Sequence, residues 1–288
     1  MALTLNEFKN RLKKIKLVVT DVDGTLTDDH EKIGDWTRSL IKKIREKDVA
    51  FTIATQKIFS SVRDIAGDLE INVPFISANG RYICDLKSFI LSESYIKRRY
   101  MEKALKYAMQ YNARIAFCNN YEVIYTKENA IVTTLPHRLG TNYRLVENYH
   151  DYQDKIVEIM FIGFERKVIK YIQRRITFPF MWFLSANYFR ISSRSGLYNL
   201  DVREARVDKC SAMKILAGYF KFKKNEVAVL GDWYNDMDLF RFGGLNIALK
   251  NAVPRLRYIA DYVIDKTNNE EGVGEFLNML FDAKDSSN

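Results

Sequence analysis

Two carboxylates, Asp21 and Asp23, follow an apolar run near the start of the chain. The segment 17–19 is typical of a strand buried on both faces, and Gly24 permits the tight turn that comes next. Ligands of open α/β sheets bind at the carboxyl ends of the strands. A carboxylate there can attack phosphorus, while its neighbour protonates the leaving oxygen and later activates water. Because two acids this close repel each other, we expect a hard cation such as Mg²⁺ beside them.

The same residues also fit a capped turn or a calcium-binding loop. An EF-hand loop requires Gly at its sixth position and Glu at its twelfth, whereas counting from Asp21 gives Leu26 and Lys32. The acidic pair after a buried strand therefore favours phosphoryl chemistry over an EF-hand, and the capped turn remains as the alternative.

A second acidic loop, GDWYND, follows the short apolar strand predicted at 227–230. Asp232 stands at the end of that strand and can complete a magnesium site. Asn235 and Asp236 begin the next helix, from which they can orient the ligands or Lys209. The alternative is a helix that is simply N-capped after a Gly turn.

Thr55 ends a second predicted strand, at 49–55, and so lands beside Asp21. Its hydroxyl and the local backbone N–H groups can hold a phosphoryl oxygen. A lone Thr at a strand end is also a common cap, which is the alternative reading.

Alternating strands and helices predict a parallel sheet at both ends of the chain, whereas residues 95–195 mix helices with hairpin-like strands. We therefore expect an α/β core formed by 1–94 and 196–288, with an α+β domain, 95–195, inserted between its halves. The aromatic run 178–184 is predicted to be a buried strand or a subunit contact. Residues 282–288 are predicted to be a frayed tail.

The composition, 47% hydrophobic and 28% charged residues, is that of a globular protein. The segment 1–16 contains Glu7 and lacks the apolar stretch of a secretory signal, and no later run approaches membrane-spanning length. Three widely spaced cysteines indicate neither a zinc site nor a disulfide framework, and we expect a cytoplasmic location. The net charge of +9 is scattered among acids, so we expect no nucleic-acid partner; a positive field also attracts small phosphate esters.

Four elements occur in the order used by the haloacid dehalogenase-like hydrolase superfamily: DVDGT at Asp21, Thr55, Lys209 and GDWYND at Asp232. Further segments resemble its Cof-type subgroup, namely SANG at 77–80, DVREARVDK before Lys209, IALKNA at 247–252 and NNEEGVGEFL at 268–277. The resemblance covers the whole chain. It implies a Rossmann-like core with a large αβ cap inserted between the second and third motifs.

Carried over to this sequence, the resemblance implies a role for each motif residue. By this resemblance the nucleophile is Asp21 and the general acid and base is Asp23. The phosphate binders are Gly24, Thr55 and Lys209, and the metal ligands are Asp21, Asp23 and Asp232. The supporting residues are Asn235 and Asp236.

The chain also departs from the subgroup at two places. It has Thr55-Gln56-Lys57 where the subgroup commonly has Thr-Gly-Arg, and Cys210 where Gly usually follows the Lys. Lys57 keeps the charge of Arg but loses its bidentate fork. Gln56 and Lys57 are therefore candidates for substrate contact.

The motifs predict a magnesium-dependent phosphatase that hydrolyses a small phosphomonoester, such as a sugar phosphate, through an aspartyl-phosphate. A phosphomutase of the same superfamily is one alternative. A non-catalytic protein that binds a phosphate ligand or nucleic acid is another, suggested only by the basic pI of about 9.2.

Overall fold

The computed structural model describes residues 4–134, 141–179, 182–191 and 196–286, and its chain divides into two units. The first unit joins three segments, Met1–Gln56, Asp64–Ser92 and Asp208–Asn288. The second joins Lys57–Arg63 to Glu93–Val207. Among the described residues, every helix is too short or too polar to cross a lipid bilayer.

The regular elements alternate along the first and last thirds of the chain. The strands are β1 (Leu17–Thr20), β2 (Ala50–Ile53), β3 (Phe75–Ser77), β4 (Tyr82–Cys84), β5 (Ile90–Glu93), β6 (Arg114–Cys118), β7 (Glu122–Tyr125), β8 (Asn142–Leu145), β9 (Glu158–Gly163), β10 (Leu184–Arg190), β11 (Tyr198–Glu204), β12 (Val227–Gly231), β13 (Leu245–Ala248) and β14 (Tyr262–Val263). The α-helices are α1 (Leu5–Leu12), α2 (Asp35–Glu46), α3 (Phe59–Asp68), α4 (Arg98–Gln110), α5 (Arg166–Thr177), α6 (Lys209–Phe220), α7 (Met237–Phe240), α8 (Pro254–Ile259) and α9 (Gly272–Asp285).

A five-stranded parallel sheet forms the centre of the first unit, in the order β14-β13-β12-β1-β2. All four residues of β1 are buried, as expected for a strand covered on both faces. The chain leaves β1 towards β2 on one side, while β12, β13 and β14 are added on the other side. The carboxyl ends of β1 and β12 therefore meet at a topological switch point, where such sheets bind ligands.

The helices of this unit present apolar stripes to the sheet. Helix α2 buries Leu40, Ile41 and Ile44 at helical spacing. Helix α6 buries Met213 and Leu216 in a cluster that also contains residues of β1 and β12. Its first residue is Lys209, and Asp208 caps it through a hydrogen bond from the Ser211 N–H, so the position of Lys209 at the helix start is fixed by the cap.

A separate three-stranded sheet, β3-β4-β5, completes the first unit. Strands β3 and β4 are antiparallel, with Ser77 opposite Tyr82. An isolated parallel bridge joins Ala54, just beyond β2, to Ile76 in β3. This bridge ties the turn after β3 to the carboxyl edge of the parallel sheet.

The second unit is built on a six-stranded sheet in the order β10-β11-β9-β6-β7-β8. Its pairs are antiparallel except β7 with β8, which is parallel. Residues of α4 and α5, including Met101 and Ile172, pack in one core cluster with Phe117 and Phe161 of the sheet. This is the α+β arrangement expected for the inserted domain.

Strand β11 corrects the predicted boundary of that domain. We expected the core to resume after residue 195, but β11 lies between β10 and β9, and the second unit continues to Val207. Polar side chains made this strand hard to recognise: Arg203 bonds the buried Glu158 across the sheet at 2.8 Å and the buried Asp201 on its own strand at 3.2 Å. The assignment of the first unit as catalytic core and the second as cap stays a prediction.

The structure contradicts the prediction that the aromatic run 178–184 is a buried strand, whereas the alternative, a subunit contact, stays a prediction. Phe178 is 65% exposed and Trp182 is 76% exposed, and β10 begins only at Leu184; residues 180 and 181 of the run lie outside the described residues. The predicted frayed tail also begins later than expected. Helix α9 continues to Asp285, whose carboxylate accepts a hydrogen bond from Lys47 Nζ at 2.6 Å.

Candidate active site

Asp21 is the first residue after β1, and its side chain is buried, with 4% of its surface exposed. Its N–H donates to the Leu230 carbonyl of the neighbouring β12 at 3.0 Å, which extends the sheet ladder by one residue. The chain then turns sharply, since the N–H groups of Leu26 and Thr27 both donate to the Val22 carbonyl at 3.0 Å. The carboxylate is therefore held at a rigid strand end.

Lys209 connects Asp21 with the second acidic loop. Its Nζ lies 2.5 Å from Oδ1 of Asp21 and 2.7 Å from Oδ1 of Asp236, and the ammonium side chain is fully buried. The three residues come from the end of β1, the start of α6 and the turn after β12. The structure thus brings together residues that are 188 positions apart in sequence.

Asp232 is the first residue after β12 and is bound by the first acidic loop. The Thr25 hydroxyl donates to Oδ1 of Asp232 at 2.6 Å. Gly24, at φ +75°, approaches so closely that a Cβ there would lie 2.7 Å from Oδ2 of the same carboxylate. Only glycine permits both this backbone conformation and this contact.

Asp236 also organises its own loop, the short 3₁₀ turn Tyr234–Asp236. Its Oδ2 accepts hydrogen bonds from the N–H groups of Asp232 and Trp233, both at 3.0 Å. The side-chain amide of Asn235 donates to its Oδ1 at 3.4 Å. Asp236 thus orients its loop, and its role as a supporting residue stays a prediction.

The other predicted site residues lie around this cluster. Thr55 is buried and follows Ala54, whose N–H donates to the Thr20 carbonyl at 2.9 Å, so Thr55 and Asp21 stand at matching ends of adjacent strands. The side chain of Asp23 is exposed. Gln56 and Lys57 are half-buried and fall in different units, Gln56 in the first and Lys57 in the second, and their contact with substrate stays a prediction.

Burial makes two carboxylates of this site, Asp21 and Asp232, resist ionisation. Burial and the charge of Asp236 raise the pKa of Asp21 well above its ordinary value, against the opposing effect of Lys209. Burial raises the pKa of Asp232 to about 6, with the Thr25 hydrogen bond acting against the shift. For Lys209 burial opposes the charged form, but the charges of Asp21 and Asp236 outweigh it and shift its pKa upward.

This carboxylate cluster fits a divalent cation. Asp21, Asp232 and Asp236 each offer an oxygen, and these oxygens all lie within 4.8 Å of one another. When ionised, the three acids carry more negative charge than Lys209 neutralises, and oxygen donors are the ligands that Mg²⁺ prefers. Among the described residues, Asp236 joins this side-chain group in place of Asp23, which we expected to be a metal ligand.

Sequence reasoning missed the contacts that hold the first loop. The bond between Thr25 and Asp232 spans 207 residues, and no local pattern in the sequence indicates it. The Asn251 side chain donates to the Gly24 carbonyl at 2.8 Å, also across most of the chain. Asn251 lies within the IALKNA segment, so the resemblance marked the segment without indicating its contact.

Comparison with known proteins identifies relatives of this chain. The chain is 22% identical to 5-amino-6-(5-phospho-D-ribitylamino)uracil phosphatase YcsE of Bacillus subtilis over 91% of its length and 94% of that protein. It is also 22% identical to the stress response protein YhaX of the same organism, over 92% of this chain and 93% of the other.

Solved structures show the same fold. The crystal structure of TM0651 from Thermotoga maritima superposes with a TM-score of 0.80 at 20% identity, covering 92% of this chain and 97% of that one. A haloacid dehalogenase-like hydrolase from Bacteroides thetaiotaomicron gives a TM-score of 0.77 at 21% identity, covering 92% and 98%. The predicted α/β fold class is therefore confirmed. Since the model of the haloacid dehalogenase-like hydrolases matches residues 18–277, the chain belongs to that family, as its motifs suggested.

Proposed function

We propose that this protein is a magnesium-dependent phosphatase that hydrolyses a small phosphomonoester through an aspartyl-phosphate. The observation that carries the proposal is the buried contact of Lys209 with both Asp21 and Asp236, beside Asp232 at the neighbouring strand end. A fixed cation and a rigid carboxylate at a switch point suit phosphoryl transfer, in which positioning and electrostatics supply most of the catalysis. The similarity to a named phosphatase of Bacillus subtilis supports the same activity.

In the first step Asp21 is the nucleophile. Lys209 bonds its Oδ1, so we assign the attack on phosphorus to Oδ2. The new bond joins this oxygen to phosphorus, and the ester P–O bond breaks with its electron pair going to the leaving oxygen. Asp23 supplies the proton that the leaving oxygen takes up.

In the second step the intermediate is hydrolysed. Asp23, now ionised, accepts a proton from water as the water oxygen attacks phosphorus. The bond between phosphorus and Asp21 breaks, and inorganic phosphate and the free carboxylate are regenerated. Throughout both steps Lys209 and Thr55 hold the equatorial oxygens of the phosphoryl group, and Gly24 allows the loop backbone to approach it.

Asp21, Asp232 and Asp236 would hold the magnesium ion, with Asp23 contributing its main-chain carbonyl. When bound, the ion neutralises charge on the phosphoryl oxygens and on the crowded carboxylates. This chain's own residues then keep the ion in place, because Thr25 fixes Asp232 and Asp236 fixes the loop that carries it.

We propose a small phosphorylated metabolite as substrate. The net charge of +9 attracts small anions, and YcsE is named for its action on 5-amino-6-(5-phospho-D-ribitylamino)uracil, which makes that compound and sugar phosphates the first candidates for a screen.

The test is phosphate release from p-nitrophenyl phosphate and then from a panel of phosphorylated metabolites. We expect turnover with Mg²⁺, none in EDTA, and none for Asp21→Asn, because an amide is a far poorer nucleophile. Asp68→Asn, which changes an exposed carboxylate at the end of α3, is the matched control and should retain activity. Full turnover in chelator would refute the metal assignment, and turnover by purified Asp21→Asn would remove Asp21 from its role.

A further inference from the structure

The turn after β3 holds an unusual backbone conformation. Ala78, Asn79 and Gly80 have φ values of +48°, +54° and +100° in succession. Residues other than glycine adopt such values rarely, and they do so where the surrounding structure fixes them, often near functional sites. The two non-glycine positions indicate that this turn is held in place by its neighbours.

Arg81 stabilises the turn from inside. Only 2% of its surface is exposed. Its Nη1 donates to the carbonyls of Ala78 and Asn79, at 3.3 Å and 3.2 Å. A buried guanidinium that binds two consecutive carbonyls of a left-handed turn makes that turn rigid.

One side of the turn holds Thr55. The Asn79 N–H donates to the Thr55 carbonyl at 2.9 Å, and the Thr55 N–H donates to the Ile76 carbonyl at 2.9 Å. Both backbone polar groups of Thr55 are therefore bonded to the segment that forms β3 and its turn. The position of Thr55 follows from the position of this segment.

The other side of the turn touches the residue before Lys209. A Cβ at Gly80 would lie 2.4 Å from the Asp208 carbonyl oxygen and 3.2 Å from the Lys209 nitrogen. Any side chain at this position would push the start of α6 away, and Lys209 with it. Glycine at residue 80 is thus needed for steric reasons as well as for its φ.

We propose that Asn79 and Gly80 are positioning residues: the turn 78–81 is a brace that sets Thr55 and Lys209 at a fixed separation around the phosphoryl group. The inference rests on the proposed function for the identity of the bound group. It goes beyond that function by assigning the spacing of the two phosphate-binding residues to a turn that contains neither of them.

The decisive comparison is Gly80→Ala against Gly243→Ala. Gly243 has φ +80° in the same unit, and the one described atom that a Cβ there would meet is the Lys224 Nζ, at 3.9 Å. Both variants impose a left-handed alanine, but only Gly80→Ala pushes on Asp208. We expect Gly80→Ala to lower kcat about 10²-fold, as for a displacement of about 1 Å, and to weaken inhibition by inorganic phosphate. Gly243→Ala should change neither quantity.

A second pair of variants tests the contact with Thr55. Asn79→Val disfavours the positive φ, and Asn79→Gly permits it, so glycine should restore most of the kcat that valine removes. The Oδ1 atom of Asn79 is buried without a hydrogen-bond partner among the described residues, and its loss in Asn79→Gly breaks no bond of that atom. Asn112→Val, at φ +48° in the second unit, is the control for general strain.

A crystal structure of Gly80→Ala separates this inference from the proposed function. We expect the distance between Thr55 and the start of α6 at Lys209 to exceed that in the unaltered chain, because the new Cβ pushes on Asp208. An unchanged distance would overturn the brace whatever the enzyme does. Equal losses of kcat in Gly80→Ala and Gly243→Ala would also overturn it, whereas absence of turnover in the unaltered protein would refute the proposed function alone.

Discussion

Thr25→Val should weaken magnesium binding near neutral pH and leave it unchanged at high pH. The Thr25 hydroxyl donates to a buried carboxylate at 2.6 Å, and a hydrogen bond to a charged group contributes about 1.5–3 kcal/mol. Because 1.36 kcal/mol corresponds to one pKa unit, its loss should raise the pKa of Asp232 from about 6 to about 7–8. At pH 7 the ionised fraction of Asp232 then falls about two- to tenfold, and the apparent affinity for Mg²⁺ falls with it.

The assay is calorimetric titration of Mg²⁺ into the metal-free protein between pH 6 and 9. Thr27→Val is the matched control, because Thr27 is equally buried but its hydroxyl donates to the neutral Val22 carbonyl, at 3.0 Å. Identical pH profiles for Thr25→Val and the unaltered chain would refute the role of this hydroxyl. An equal shift in Thr27→Val would show that the effect comes from the loop and not from Asp232.

Two further perturbations test the charge balance of the site. Lys209→Met should abolish turnover and destabilise the fold by about 3–5 kcal/mol in urea unfolding, because it leaves Asp21 and Asp236 buried without their cation; an unchanged midpoint would contradict the ion pair. The raised pKa of Asp232, about 6 against an ordinary 3.8, means that metal-free protein loses stability as pH rises through that interval, by about 3 kcal/mol. In EDTA Asp232→Asn should therefore be more stable than the unaltered chain at pH 7.5 and lose that advantage at pH 3.5, and parallel stability curves for the two proteins would contradict the shift.

The strand ends that carry the acids could be predicted from the sequence. A strand covered on both faces is an uninterrupted apolar run, so β1 and β12 and the residues that follow them, Asp21 and Asp232, were identified correctly. These strands can be predicted from their local sequence, because whether a short segment is buried depends mainly on its own residues.

The contacts that complete the site could not be predicted in this way. The bond between Thr25 and Asp232 depends on how two loops pack, and neither loop encodes its partner. Strand β11 was obscured because Asn199 and Asp201 lie buried where apolar residues are usual. The error was the opposite at Phe178 and Trp182: burial was expected because aromatic side chains usually lie in a core, but both are exposed in the described structure.

The central position of β1 has a consequence for synthesis of the chain. Its partner β2 follows within 30 positions, but its other partner, β12, begins at residue 227. Until the ribosome has delivered that segment, β1, all of whose residues are buried in the folded protein, has one edge without a backbone partner, and such edges promote association with other chains. The active site is completed equally late. Strand β12, which lies beside Asp21 in the sheet, and Lys209, which binds Asp21, are both synthesised after the second unit. A chain whose synthesis stops before residue 209 would therefore expose an unpaired edge of β1 that promotes association with other chains. Asp21, which follows this strand, would lack the cation Lys209.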